Sequence, residues 1–389
     1  MIKKIVIFCL SIQLSVAQSL DLNQLTNLGF EKNQDLALAL RRIDLQKSLV
    51  NTAFEMPKTK FDLQVGNIQT PFVTDYTLAV VQNTELPKVY KLRRAFNESL
   101  VKIGEAELDI LKNEFRFGVA NIYYQLFYFQ ELTDLLKNEN LKLQEIEKVY
   151  RRRQEEGETD GVEVSNIHLK ITENEMKITN FQILRNELEG KLKFMLNTHN
   201  LPNLSFKPAQ FGVDNSILEN SKLKQQGFQI ENSHLATQNE MNKLLPSINL
   251  GVMNQSMLGS WRQFIGVAGV EIPIFNKAQK ARVQASKITS HIQELELEKM
   301  KHQLENEVTV LSKGIEDTQK NIDLINDVLL RESEKIMQVT MKKYMAGQLD
   351  YYDWYLTYNQ NVNYKLELLN LQKNKNLSIT NIKYLTGNE

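Results

Sequence analysis

The chain has 389 residues, 42% hydrophobic and 24% charged, with 47 basic and 47 acidic side chains and so no net charge. That balance gives no basic surface for nucleic acid and no acidic excess of the kind that keeps a chain disordered. Residues 1–17 carry Lys3 and Lys4, an apolar run Ile5–Leu10 and then Ser15-Val16-Ala17, which reads as a signal peptide. The only cysteine, Cys9, lies inside that run, so the mature chain is expected to have no disulfide and no thiolate metal site. Val6-Ile7-Phe8 ahead of it lacks the small residue that precedes a lipidated cysteine. Beyond residue 17 no run of about 18 apolar residues occurs, so a membrane would have to be entered by strands of a closed barrel.

The seven prolines leave 88–201 and 274–389 free of proline. A proline inside a helix costs roughly 3 kcal/mol, so both spans suit long helices. In the second span Ile288, Ile292, Leu295, Met300, Leu304, Val308, Leu311 and Ile315 advance mainly by threes and fours, a coiled-coil-like seam. Each span is broken once, at Gly157 and at Gly347, where glycine tolerates the left-handed backbone that ends a helix. Each is therefore expected to be a helical hairpin with a tight tip. Gly157 and Gly347 lie 190 residues apart, and Pro57 and Pro246 189. Asp160 and Asp350 each follow the tip glycine by three, and Glu163 and Asp353 by six. This register reads as an internal duplication, with repeats at 18–205 and 206–389.

Between the helical parts the period falls to two. Phe61, Leu63 and Val65 alternate with polar residues, as do Tyr76, Leu78 and Val80, and later Ile248, Leu250 and Val252. Strands are expected at roughly 60–69, 76–86, 247–257 and 263–272, each about the length of a tilted transmembrane strand. Four strands do not close a barrel. Either several copies share one, or the hairpins form a soluble sheet on the helices.

Three segments then point to a family: Ala53-Phe54-Glu55-Met56-Pro57 leading into a strand, Glu271-Ile272-Pro273-Ile274-Phe275 leaving the last one, and Tyr344-Met345-Ala346-Gly347 followed by Asp353. With the duplicated helix–hairpin–helix plan, essentially the whole mature chain resembles the TolC family of outer-membrane efflux proteins. The resemblance implies a mainly α chain with membrane β: a homotrimer whose twelve strands form one outer-membrane barrel and whose helices form a periplasmic α-barrel. It implies outer-membrane lipid, a periplasmic adaptor and an inner-membrane pump as partners. Lys58-Thr59-Lys60, Pro87-Lys88-Val89-Tyr90 and Ala278-Gln279-Lys280-Ala281-Arg282 resemble the branch that serves heavy-metal pumps of the resistance-nodulation-division class.

An exit duct needs no catalytic group, and no phosphate-binding glycine loop, nucleophile elbow or HExxH motif is present. The five histidines have no partner at i+3 or i+4, so no metal site and no cofactor is expected. The resemblance implies a gate at the tips, with Asp353, Glu163 and Tyr344 taking part. Asp160 and Asp350 read better as helix N-terminal acids favoured by the macrodipole. Where the family pattern has an arginine two residues after the second glycine, this chain has Leu349; Lys342, Lys343 and Arg151–Arg153 are the nearby positive charges. Two rival readings are a periplasmic adaptor with helical hairpins and an enzyme using Glu163 and Asp353 as a carboxylate pair.

Overall fold

The structure is a computed structural model that describes residues 19–387 apart from 160, 211, 213, 214 and 258. The expected signal peptide at 1–17, with Cys9, and Asp160 lie outside the described residues. Two short helices, α1 (Leu22–Lys32) and α2 (Gln34–Leu49), lead through a 3-10 turn at Val50–Phe54 into the hairpin β1 (Lys60–Thr70) and β2 (Val73–Thr84). Helix α3 (Pro87–Glu155) opens on a proline whose missing N–H is no loss at that position. Its 69 residues span about 100 Å. The return helix α4 (Val162–Met195) and α5 (Ser221–Asn242) precede the second hairpin, β3 (Ser247–Met257) and β4 (Ser260–Glu271). A second long run follows as α6 (Lys277–Leu324), a π turn at Ile325–Leu330 and α7 (Arg331–Met345), and α8 (Tyr351–Thr386) returns along it.

The outgoing helices reach the length the proline spacing suggests, but the return helices α4 and α8 have only 34 and 36 residues. Each return is completed by a helix that begins where it stops. Asn33 caps α2 by accepting from the Leu36 N–H at 3.1 Å, while its amide donates to the Met195 carbonyl at the end of α4, 3.2 Å away. Asn220 does the same for α5 and α8: its oxygen accepts from Lys222 and Leu223 N–H, and its amide donates to the Leu385 carbonyl at 2.7 Å. One side chain thus satisfies unpaired groups of two helix ends at once. Gly387 allows the approach, because its φ is +74° and a Cβ there would lie 2.5 Å from the Glu219 carbonyl oxygen. Replacing the buried Asn220 by alanine removes a cap and strands a buried carbonyl, and should destabilise the joint by about 1–3 kcal/mol. Thermal unfolding of the purified chain checks this; an unchanged melting temperature would count against the joint.

The sheet order is β1-β2-β3-β4, antiparallel throughout. β2 and β4 begin three residues earlier than the sequence suggests. Their turns are tight, with Thr70 paired to Val73 and Met257 to Ser260, so 73–75 and 260–262 extend the ladders. Asp75, a turn former by type, is instead fully buried and accepts from the Ser256 hydroxyl at 3.1 Å.

The register fixes the two faces. Phe61, Leu63 and Val65 lie opposite Val80, Leu78 and Tyr76, and the same face continues through Leu250, Val252, Phe264 and Val270. It is mainly apolar and largely exposed, with Gln82, Thr84 and Asn254 as its polar members. The other face carries Asp62, Gln64, Thr77, Asn249, Gln255 and Gln263 among smaller apolar residues. Among the described residues, one edge of β1 and one of β4 have no neighbouring strand. The core lies elsewhere, in helix clusters around Tyr123, Leu126 and Leu192 and around Tyr344 and Trp354.

Candidate functional site at the helical tips

Both tips are built by the same local chemistry. At the end of α3, Gly157 N–H donates to the Gln154 carbonyl and Glu158 N–H to that of Arg153; at the end of α7, Gly347 and Gln348 bond Tyr344 and Lys343 in the same way. The glycines have φ of +76° and +72°, as this helix stop requires. Asp350 then caps α8 by accepting from the Asp353 N–H at 2.9 Å.

The two tips pack through an aromatic stack. Tyr344 is fully buried, with the Tyr150 ring 4.5 Å away at 13° on one side and the Trp354 ring 4.8 Å away at 7° on the other. Tyr358 extends the stack beyond Trp354. Leu143, Ile146, Val164, Ile167 and Ile171 of the first hairpin enclose it. Tyr344 is thus a core residue of the protomer, beside Glu163 on the first turn of α4, whose charge acts on the hydroxyls of Tyr344 and Tyr150. Asp353 is exposed on the first turn of α8.

The first hairpin also finishes the end of α7. Tyr150 donates its hydroxyl to the Tyr344 carbonyl at 3.0 Å, and the Arg153 guanidinium donates to the Met345 carbonyl while lying over the Tyr150 ring. These carbonyls are among the four that a helix leaves unpaired at its C-terminus, where the macrodipole favours a cation. Of the three consecutive arginines 151–153, Arg153 is therefore the one that links the tips. The targets of Tyr150 and Arg153 were hidden in the sequence, because they are backbone carbonyls 194 and 192 residues away.

Burial pushes the hydroxyls of Tyr344, Tyr358, Tyr351 and Tyr150 above the ordinary tyrosine range. The unfolded chain then releases these protons first, so the stabilisation is complete below about pH 10 and is lost as pH rises beyond it. The tip should open in alkali before the helix cores near the sheet. Tyrosinate absorbance and hydrogen exchange over 140–172 and 335–362, followed together against pH, test this; ionisation with the tip still protected would refute it.

Among the described residues no group of His, Cys, Asp and Glu has metal-binding geometry, and no helix is long and apolar enough to cross a membrane. No family model and no curated protein matches the sequence. The fold, however, matches solved structures over nearly its full length. The outer-membrane channel OprN aligns at a TM-score of 0.79 with 15% identity, over 95% of this chain and 90% of that one. CusC aligns at 0.79 with 14% identity, over 95% and 92%. The outer membrane protein VceC from Vibrio cholerae aligns at 0.75 with 13% identity, over 94% and 96%.

The chain has the fold of outer-membrane channels. Within that channel fold the tip described above is the end of the helical hairpins farthest from the sheet.

Proposed function

We propose that this chain is a protomer of a TolC-type outer-membrane efflux channel, a passive exit duct recruited by a periplasmic adaptor and an inner-membrane pump. The observation that carries the reading is the four-stranded sheet: one face is mainly apolar and exposed, and among the described residues neither edge has a partner strand. An open apolar sheet with free edges is an aggregation hazard in water, whereas copies joined edge to edge bury every backbone group, as a membrane demands. Strands of 11 and 12 residues at a 45° tilt span about 25 Å, the height of an outer-membrane apolar band. Three protomers would supply the twelve strands expected from the resemblance.

The paired tips, the two glycine stops of like geometry and the matching Asn33 and Asn220 joints support an internal duplication. An adaptor reading is less favoured, since both hairpins and the sheet belong to one channel-like fold. Export of metal cations through a pump of the resistance-nodulation-division class rests on the three short segments at Lys58, Lys88 and Lys280. Mass measurement and negative-stain imaging of the chain purified from membranes test the channel. A trimeric rod is expected; a monomer in the soluble fraction would overturn it.

We further propose that Glu163 and Asp353 line the narrow end of the duct, with the tip glycines Gly157 and Gly347 and the cap Asp350 shaping the turns. Carboxylates from three protomers around one axis attract cations. Replacing Glu163 and Asp353 by alanine should reduce cation selectivity and block by multivalent cations in planar bilayers, with assembly intact. Unaltered selectivity would remove these residues from the gate.

A further inference from the structure

The sheet is strongly asymmetric in charge along its strands. At the end where the strands join the helices, residues 55–62, 82–94, 240–247 and 271–282 carry ten basic and five acidic side chains. At the opposite end, 66–77 and 253–264 carry one of each, Asp75 and Arg262. In a chain with no net charge this is a local excess of positive charge.

Four of the five acids at the helical end are already engaged, Glu55 being the exception among the described residues. Glu85 pairs with Arg93 at 2.6 Å, Asp62 with Lys60 at 2.8 Å and Glu240 with Lys243 at 2.6 Å, while Glu271 accepts from Ser247 and Asn249. Among the described residues, Lys58, Lys88, Lys91, Lys277 and Lys280 have no carboxylate within ion-pair distance, and all five are exposed. Lys88 and Lys91 share one face of the first turns of α3 with Arg94. Three of the five, Lys58, Lys88 and Lys280, fall in the segments 58–60, 87–90 and 278–282, where Lys60 pairs with Asp62 and Arg282 reaches Gln279 and Glu240.

Exposed apolar side chains are interleaved with these lysines. Ile272, Ile274 and Phe275 follow directly on β4, and Phe275 is 99% exposed. Phe54 and Met56, also exposed, precede β1; Arg94 lies 6.0 Å over the Phe54 ring, which stacks on Tyr90. A soluble acidic partner would leave such apolar groups without a role. A membrane surface takes both: the apolar groups enter the acyl boundary and the lysines extend their stems to reach phosphate.

Resting on the channel reading above, we propose that this junction is a collar that binds anionic phospholipid headgroups of the leaflet facing the helices. Lys58, Lys88, Lys91, Lys277 and Lys280 provide the charge, and Phe54, Ile274 and Phe275 the wedge beneath it. The collar would set the depth of the sheet in the bilayer and hold the long helices upright, because the positive charge lies on one end of the sheet only.

The test uses the full chain purified from membranes in mild detergent, with phosphatidylglycerol, cardiolipin and phosphatidylethanolamine per protomer counted by mass spectrometry. Replacing the five lysines by glutamine should reduce the two anionic lipids at least severalfold and leave phosphatidylethanolamine unchanged, and the corresponding five arginine replacements should retain them. Equal anionic lipid in the glutamine and native chains would overturn the collar. If the glutamine variant fails to assemble, a high-salt wash of the native protein decides: the collar predicts loss of anionic lipid as the charges are screened, and retention in salt would overturn it. A native chain released by carbonate into the soluble fraction would instead overturn the channel reading, and the collar with it. An integral chain whose anionic lipid ignores both charge and salt would overturn the collar alone.

Discussion

Replacing Trp354 by alanine is expected to destabilise the tip by about 3–5 kcal/mol, the largest effect of any single change there. Trp354 is fully buried and sits between Tyr344 and Tyr358, with Tyr351 against its ring at 5.7 Å. Alanine would leave a void that stacked rings, held by the backbones of two hairpins, cannot collapse to fill. The tip depends on this cluster because it has little else: the next core, around Tyr123 and Leu192, lies on the far half of α3 and α4. Loss should therefore be local. Hydrogen exchange over 140–172 and 335–362 should rise sharply while the strands keep their protection. The indole N–H makes no hydrogen bond with the rest of the chain, so Trp354→Phe should retain most of the stability. Native exchange rates in Trp354→Ala would show that the stack is not what holds the tips together.

Much of this arrangement was legible from local signals. The proline-free spans located the long helices, Gly157 and Gly347 located the stops, and the alternation at Phe61–Val65 and Ile248–Val252 located the strands. Less visible was whatever depends on contact rather than pattern. Pro71 and Asp75 suggest a long turn, yet Val73 and Asp75 pair with Thr70 and Gly66, and the buried bond of Asp75 to Ser256 holds the strand in place. A proline-free span does not reveal that a return helix stops halfway and is resumed by another part of the chain. That is decided by Asn33 and Asn220, which read as ordinary N-caps. The tip acids were evident as a repeated pattern and Arg151–Arg153 as nearby charge, but the roles of Tyr150 and Arg153 were not, since nothing nearby in the sequence indicates the α7 carbonyls they meet.

Glu139 is the clearest example of a hidden residue, and it supports the second large effect. It lies in a run of polar residues on α3 and reads as a solvated charge, yet it is only 1% exposed because α8 packs over it. Lys365 of α8 meets its carboxylate at 3.2 Å and Lys142 at 2.9 Å. At the same level Asn174 bonds Asn140, and Asn361 bonds Ser333, so a polar layer crosses α3, α4, α7 and α8 above the aromatic tip. Lys365 is largely buried and Lys142 half exposed, so Lys365 supplies most of the unscreened compensation. Removing one partner of a buried pair leaves an uncompensated charge, and Lys365→Met is expected to cost about 3 kcal/mol. Removing both charges should not: Glu139→Leu with Lys365→Met is expected to return to native stability or exceed it. What the double variant should lose is specificity, because a polar layer penalises any slippage of one helix past another while an apolar one tolerates it. Thermal unfolding in detergent gives the energies, and cross-linking of cysteines placed at Ser333 and Asn361 reports the register. A double variant as unstable as Lys365→Met alone would mean that the pair contributes net attraction rather than alignment.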